Sequence, residues 1–191
     1  MTNQNAILPA IALRGTTILP GMIVHFDVSR ERSKKAIEAA MLHDQKIFLV
    51  TQIDPEVENP DVSGVYRVGT IGYIKQVVKL PQDILRVLVE GTGRAVLEDF
   101  QQDFPYLTGV ISPVKEEETL LPDTVTEAMY RSLKELFHRY CMENGKISKE
   151  LVSQILNIES LEELIEQIAV NIPLSYQNKQ KILEALTLEE R

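Results

Sequence analysis

Near residue 115 the apolar residues of this 191-residue chain stop coming in short β-branched runs and begin to recur every three or four positions. That switch constrains the fold more than any single motif. Before it, residues 7–13, 22–27, 47–51, 68–80, 84–92, 95–100 and 108–114 read as strands separated by turn residues. In Ile84-Leu85-Arg86-Val87-Leu88-Val89-Glu90 the polar residues are spaced too irregularly for a one-face pattern, so burial on much of both faces is expected. One helix interrupts the series, with Ser29 placed to cap it and Ala36, Ile37, Ala40 and Met41 on one face.

After Glu116-Glu117-Glu118 the pattern is helical. Thr124 and Glu127 form a capping box ahead of Val125, Ala128, Met129, Leu133, Leu136, Phe137 and Tyr140, and Asn144-Gly145 ends that helix. A second helix is expected over 149–156. Ser160 and Glu163 form another capping box before Leu164, Ile165, Ile168 and Ala169. Pro173 closes that helix, and Ser175 caps a last one through Ile182, Leu183 and Leu186. The plan is α+β: a β-rich domain with one helix over residues 1–118 and a helical bundle over 119–191. The acidic, proline-bearing 54–61 segment reads as a surface loop and 115–122 as the connector. The chain stops at Leu188-Glu189-Glu190-Arg191 without a terminating signal beyond the helix, as a piece of a longer chain would.

Length, a 44% hydrophobic fraction and a 25% charged fraction suit a globular chain that can bury a core. No run approaches the ~20 apolar residues that span a bilayer, and residues 1–5 are polar without a basic segment. The single Cys141 excludes an internal disulfide and suits a reducing compartment, so the cytoplasm is expected. The net charge of -8 is spread evenly: 12 basic and 16 acidic residues up to 118, then 8 and 12. Neither part offers the basic surface that nucleic acid requires.

Chemistry is expected to be absent. The spacing Gly64 to Gly69 is followed by Thr70-Ile71 with no lysine, so it is not a phosphate loop. Gly91-Thr92-Gly93 lacks a third glycine and marks a bend or bulge. His25, His43 and His138 lie far apart and, with one cysteine, give no metal spacing; Cys141 reads as a small buried hydrophobe. No nucleophile–base pair stands out. No catalytic residue, cofactor site or metal site is expected.

Binding is the remaining class. Leu19-Pro20-Gly21-Met22 and Leu80-Pro81-Gln82-Asp83-Ile84 are turns that carry large apolar residues where polar ones normally sit. Leu19, Pro20, Met22, Leu80, Pro81 and Ile84 are therefore expected to form one shared substrate-binding patch at one end of the β domain. The competing expectation is that they simply close that end.

Several segments, taken in order, carry a resemblance: Leu8-Pro9-Ala10-Ile11-Ala12-Leu13-Arg14-Gly15, Leu19-Pro20-Gly21-Met22, Ile47-Phe48-Leu49-Val50, Val68-Gly69-Thr70-Ile71, Leu80-Pro81, Arg86 to Gly91 with Arg94, and Ile172-Pro173-Leu174 with Lys179-Gln180. The chain resembles the N-terminal domain of the ATP-dependent protease Lon over residues 7–191. The resemblance implies an antiparallel β pseudo-barrel similar to PUA-type domains, followed by a helical bundle. It also implies a role in recognising unfolded or degron-bearing proteins, within a hexamer whose ATP- and magnesium-using motor and Ser-Lys protease lie elsewhere. The alternative is a free-standing domain of the same fold that binds a peptide or small ligand as an adaptor. RNA binding by fold analogy is discounted by the charge.

Overall fold

A computed structural model describes residues 5–115, 121–145 and 147–191. The chain forms two compact units, Met1–Lys115 with Ser175–Glu184, and Glu116–Leu174 with Ala185–Arg191. The expected boundary near 118 and most of the 115–122 connector lie outside the described residues.

The first unit holds strands β1 (Ala6–Leu13), β2 (Ile23–Val28), β3 (Lys46–Thr51), β4 (Val68–Leu80), β5 (Ile84–Gln102) and β6 (Leu107–Pro113), with helices α1 (Glu31–Met41) and α5 (Tyr176–Glu184). The strand order is β2-β5-β4-β3-β1-β6, and a further β5–β6 pairing closes all but β2 into a ring. The two strands expected over 84–92 and 95–100 are one strand, β5. Ile71 pairs with Gly93 and Gly72 with Gly91, leaving Thr92 as the extra residue of a bulge. Such bulges coil the strand, so its first half serves β2 and its second half β6. The sheet is not wholly antiparallel: β1 and β3 run parallel, because the chain crosses over between them through β2 and α1.

Burial corrects a second expectation. Leu85, Val87 and Val89 are buried at period two while Arg86 between them is exposed, so this part of β5 has one buried face. The strand buried on both faces is β3. Its Ile47 and Leu49 enter one apolar cluster, with α1, and its Phe48 and Val50 enter another. β1 is shared in the same way, Ile11 and Leu13 against Ala10 and Ala12. α1 buries Ala36, Ile37 and Ala40, but Met41 is exposed. Its cap position is Arg30, not Ser29, and no side chain caps it.

α5 belongs with the sheet unit rather than with the other helices. Buried Gln180 donates to the Val68 carbonyl at 2.9 Å, and buried Thr17 donates to the Tyr176 carbonyl at 3.0 Å while sharing a 2.8 Å hydrogen bond with Thr51. Ser175 caps the helix by accepting from the Asn178 amide.

The second unit packs α2 (Asp123–Asn144), α3 (Lys149–Leu156) and α4 (Leu161–Asn171) around Phe137, Cys141, Ile155, Leu164 and Ile168. Ser148 caps α3 and Ser160 caps α4, the latter accepting from the Glu163 amide as the sequence indicates. α2 is different. Pro122, not Thr124, holds its cap position, without a side-chain bond. Proline's fixed φ suits helix entry, so the helix starts ahead of Thr124. Gly145, at φ 56, closes it by donating to the Cys141 carbonyl. Burial pushes the Cys141 thiol pKa up, in keeping with an inert core cysteine.

Candidate functional site

Leu19-Pro20-Gly21-Met22 is a type II turn. Pro20 and Gly21 occupy the central positions, Gly21 has φ 81, and the Met22 amide donates to the Leu19 carbonyl at 3.1 Å. The turn lies directly on β5. Gly21 donates to the Gly91 carbonyl and Gly91 to the Met22 carbonyl, each at 2.9 Å. A Cβ on Gly91 would stand 2.4 Å from the Leu19 carbonyl oxygen, so only glycine permits this approach. Leu19 is consequently buried, at 4% exposure, and cannot face a ligand. Met22 is half-buried against the first core cluster, and Pro20 is half-buried.

The second turn is built otherwise. Leu80 pairs with Ile84 across a three-residue loop in which Gln82 (φ 62) and Asp83 (φ 59) both take positive φ without being glycine. Asp83 accepts an ion-paired hydrogen bond from Lys34 of α1, which also pairs with Glu31. The Lys34 hydrogen bond holds the Asp83 carboxyl below its ordinary pKa, and Asp83 in turn raises that of Lys34. Pro81 is exposed; Leu80 and Ile84 are half-buried.

The two turns do not share an end. The Gly91 register point of the first lies seven positions along β5 from Ile84, and at ~3.3 Å per residue that places the turns roughly 23 Å apart. What they bracket is the outer face of β2, β5 and β4. Ile23 (63% exposed) opposes Glu90, His25 opposes Leu88, and Asp27 opposes Arg86, which itself opposes Val78 on β4. Arg86 donates from Nε and Nη2 to the two Asp27 oxygens, both at 2.8 Å, and this pair lowers the Asp27 pKa. Lys75 pairs with Glu90 at 2.5 Å and lies over the Tyr73 ring. Ile23, absent from the expected patch, is the most exposed apolar residue of this face. Its signal was present in the sequence, as the odd member against Val24 and Phe26. Among the described residues β2 pairs with β5 alone, and its other edge has no strand partner there. The β4–β5 hairpin beyond Gln76 likewise runs past the end of β3.

Among the described residues no group of three or more His, Cys, Asp or Glu side chains could hold a metal ion, and no helix is long and apolar enough to cross a membrane. The arrangement presents surface, turns and an edge, which is the equipment of a binding domain.

Solved Lon N-terminal domains share this fold. The N-terminal domain of the Mycobacterium avium complex Lon protease superposes with a TM-score of 0.75 at 19% identity, covering 97% of this chain and 93% of that one. The Lon N-terminal domain protein from Xanthomonas campestris gives 0.64 at 16%, covering 96% and 92%. Residues 7–191 match the family model of the ATP-dependent protease La (LON) substrate-binding domain, and the chain belongs to that family. It is 42% identical over its whole length to the Lon protease of Lachnoclostridium phytofermentans, and 36% identical over 96% of its length to Lon protease 1 of Bacillus subtilis. It spans 24% of the length of each, and its match is to the substrate-binding domain.

Proposed function

We propose that this domain captures unfolded or degron-bearing polypeptide on the outer face between its two proline turns, for delivery to the motor and protease of a cytoplasmic, hexameric Lon. Pro20, Met22 and Ile23 anchor one end of the captured segment, and Leu80, Pro81 and Ile84 the other. Leu19 serves by building the turn. The observation that carries the reading is the exposure of Ile23 on a strand with an unpaired edge, flanked by turns some seven residues apart. An extended client segment of about that length fits the span. Scattered apolar contacts hold it without reading sequence, each supplying ~1 kcal/mol. Binding of a permanently unfolded model protein should weaken a few-fold in each of Ile23→Ser, Pro81→Ser and Ile84→Ser at unchanged melting temperature, and further in combination. Wild-type binding by the triple variant would refute this face.

A further inference from the structure

Gln180 of the Lys179-Gln180 pair is spent on the Val68 carbonyl, but Lys179 beside it has no such task. Lys179 stands on α5, half-buried, with its Nζ 3.9 Å from Sδ of Met22 in the first proline turn. A thioether is a weak acceptor without charge, so it leaves the ammonium uncompensated. Among the described residues no carboxylate pairs with Lys179. Burial pushes its pKa below the ordinary lysine value, and no acid among those residues opposes the shift.

The second proline turn shows what compensation looks like. Lys34 is matched there by both Asp83 and Glu31. At the first turn the acids of the neighbouring elements are engaged: Glu90, which precedes Gly91 on β5, pairs with Lys75, and Glu184, further along α5, accepts from Gln180. Partial burial of an unpaired ammonium costs free energy that an apolar side chain of similar length would avoid. That cost is offset when the missing anion arrives with a ligand, because a charge-assisted hydrogen bond then forms. Lys179 is only half-buried, so a ligand can reach it. Its neighbour Met22 is one of the anchors proposed for the captured segment, and the two side chains together join one positive charge to one apolar contact.

We propose that Lys179 is a specificity-determining residue of the capture site, its ammonium receiving a client carboxylate next to the apolar side chain held at Met22. The proposal rests on the reading of the outer face as a polypeptide-capture surface and adds a charge preference to it. The test uses the whole chain and dye-labelled peptides of about nine residues with leucine at both ends, read by fluorescence anisotropy at low salt. One peptide has glutamate beside each leucine and one has glutamine, both with capped termini. A third is the glutamine peptide with a free C-terminal carboxylate. The glutamate peptide should bind about three- to fivefold more tightly than the capped glutamine peptide. Lys179→Met keeps the apolar stem and should abolish that preference without lowering the melting temperature, whereas Lys179→Arg should retain it. Equal binding of all three peptides, or a preference that survives Lys179→Met, overturns the proposal. A Lys179-dependent preference confined to the third peptide upholds the ammonium's role and assigns the carboxylate to a chain end. Ile23→Ser should weaken all three peptides and leave their ratios unchanged. Undiminished binding in Ile23→Ser, with the Lys179-dependent preference intact, would count against the outer face and not against Lys179.

Discussion

The two proline turns look alike in sequence and are secured by opposite means. Leu19–Met22 places glycine at the one position that needs positive φ and lays its backbone on Gly91, so its leucine is drawn into the interior. Leu80–Ile84 puts glutamine and aspartate at positive φ, and a charged tether from Lys34 to Asp83 holds the loop to α1. A turn fixed by backbone packing becomes part of the core. One fixed by a side-chain ion pair at the tip of a hairpin stays at the surface with its apolar residues half-exposed. The lesson is that apolar residues in a turn report binding surface only when the turn is not itself packed on a strand.

Core truncation gives the sharpest contrast. Leu19→Ala should cost about 2–5 kcal/mol of unfolding free energy, while Leu80→Ala should cost well under half as much. Denaturant melts giving equal losses would erase the distinction between the turns. Backbone effects come next and have opposite signs. Gly21→Ala should destabilise by about 1–2 kcal/mol, because a Cβ is disfavoured at φ 81. Gln82→Gly should stabilise by about 0.5–1 kcal/mol, as relief at φ 62 exceeds the entropy of the added glycine. Destabilisation by both would mean that the Gln82 side chain holds the hairpin.

The smallest effect is that of pH. Asp83 has a lowered pKa, so its contribution is present above the ordinary carboxylate value of 3.8 and is lost as pH falls through its folded value. Lys34 has a raised pKa, so its share is complete below its ordinary 10.5 and is lost only as pH rises past its folded value. Melting temperature should thus fall less between pH 7 and pH 3 in Asp83→Asn than in the parent chain. Parallel curves would show that the tether adds nothing to the second turn.

Much of the local structure was legible in the residues. The strand over 68–80 and the helix over 149–156 agree with β4 and α3, because their turn and cap residues, Leu80-Pro81 and Ser148, act within a few positions. Ser29 and Thr124 do not cap their helices, since a side-chain oxygen is only one way to begin a helix and the backbone at Arg30 and Pro122 begins these two without it. The anchors of the candidate site were half legible. Proline and large apolar residues flag the turns, but Ile23 declares itself only once β2 is known to have one exposed face.

By itself the sequence determined the elements, the switch from strands to helices and the family. These follow from period, turn chemistry and ordered motifs, all short-range in the chain. Tertiary structure alone decided three things. The register along β5 set the two turns roughly 23 Å apart instead of side by side. The parallel β1–β3 pair made β3, and not β5, the strand buried on both faces. Buried hydrogen bonds from Gln180 and Thr17 drew α5 onto the sheet unit. Each depends on partners far away in the chain, from the 38 residues between Ala10 and Phe48 to the 159 between Thr17 and Tyr176, and nothing in a local window records which strand edge, core face or buried acceptor will be there to meet them.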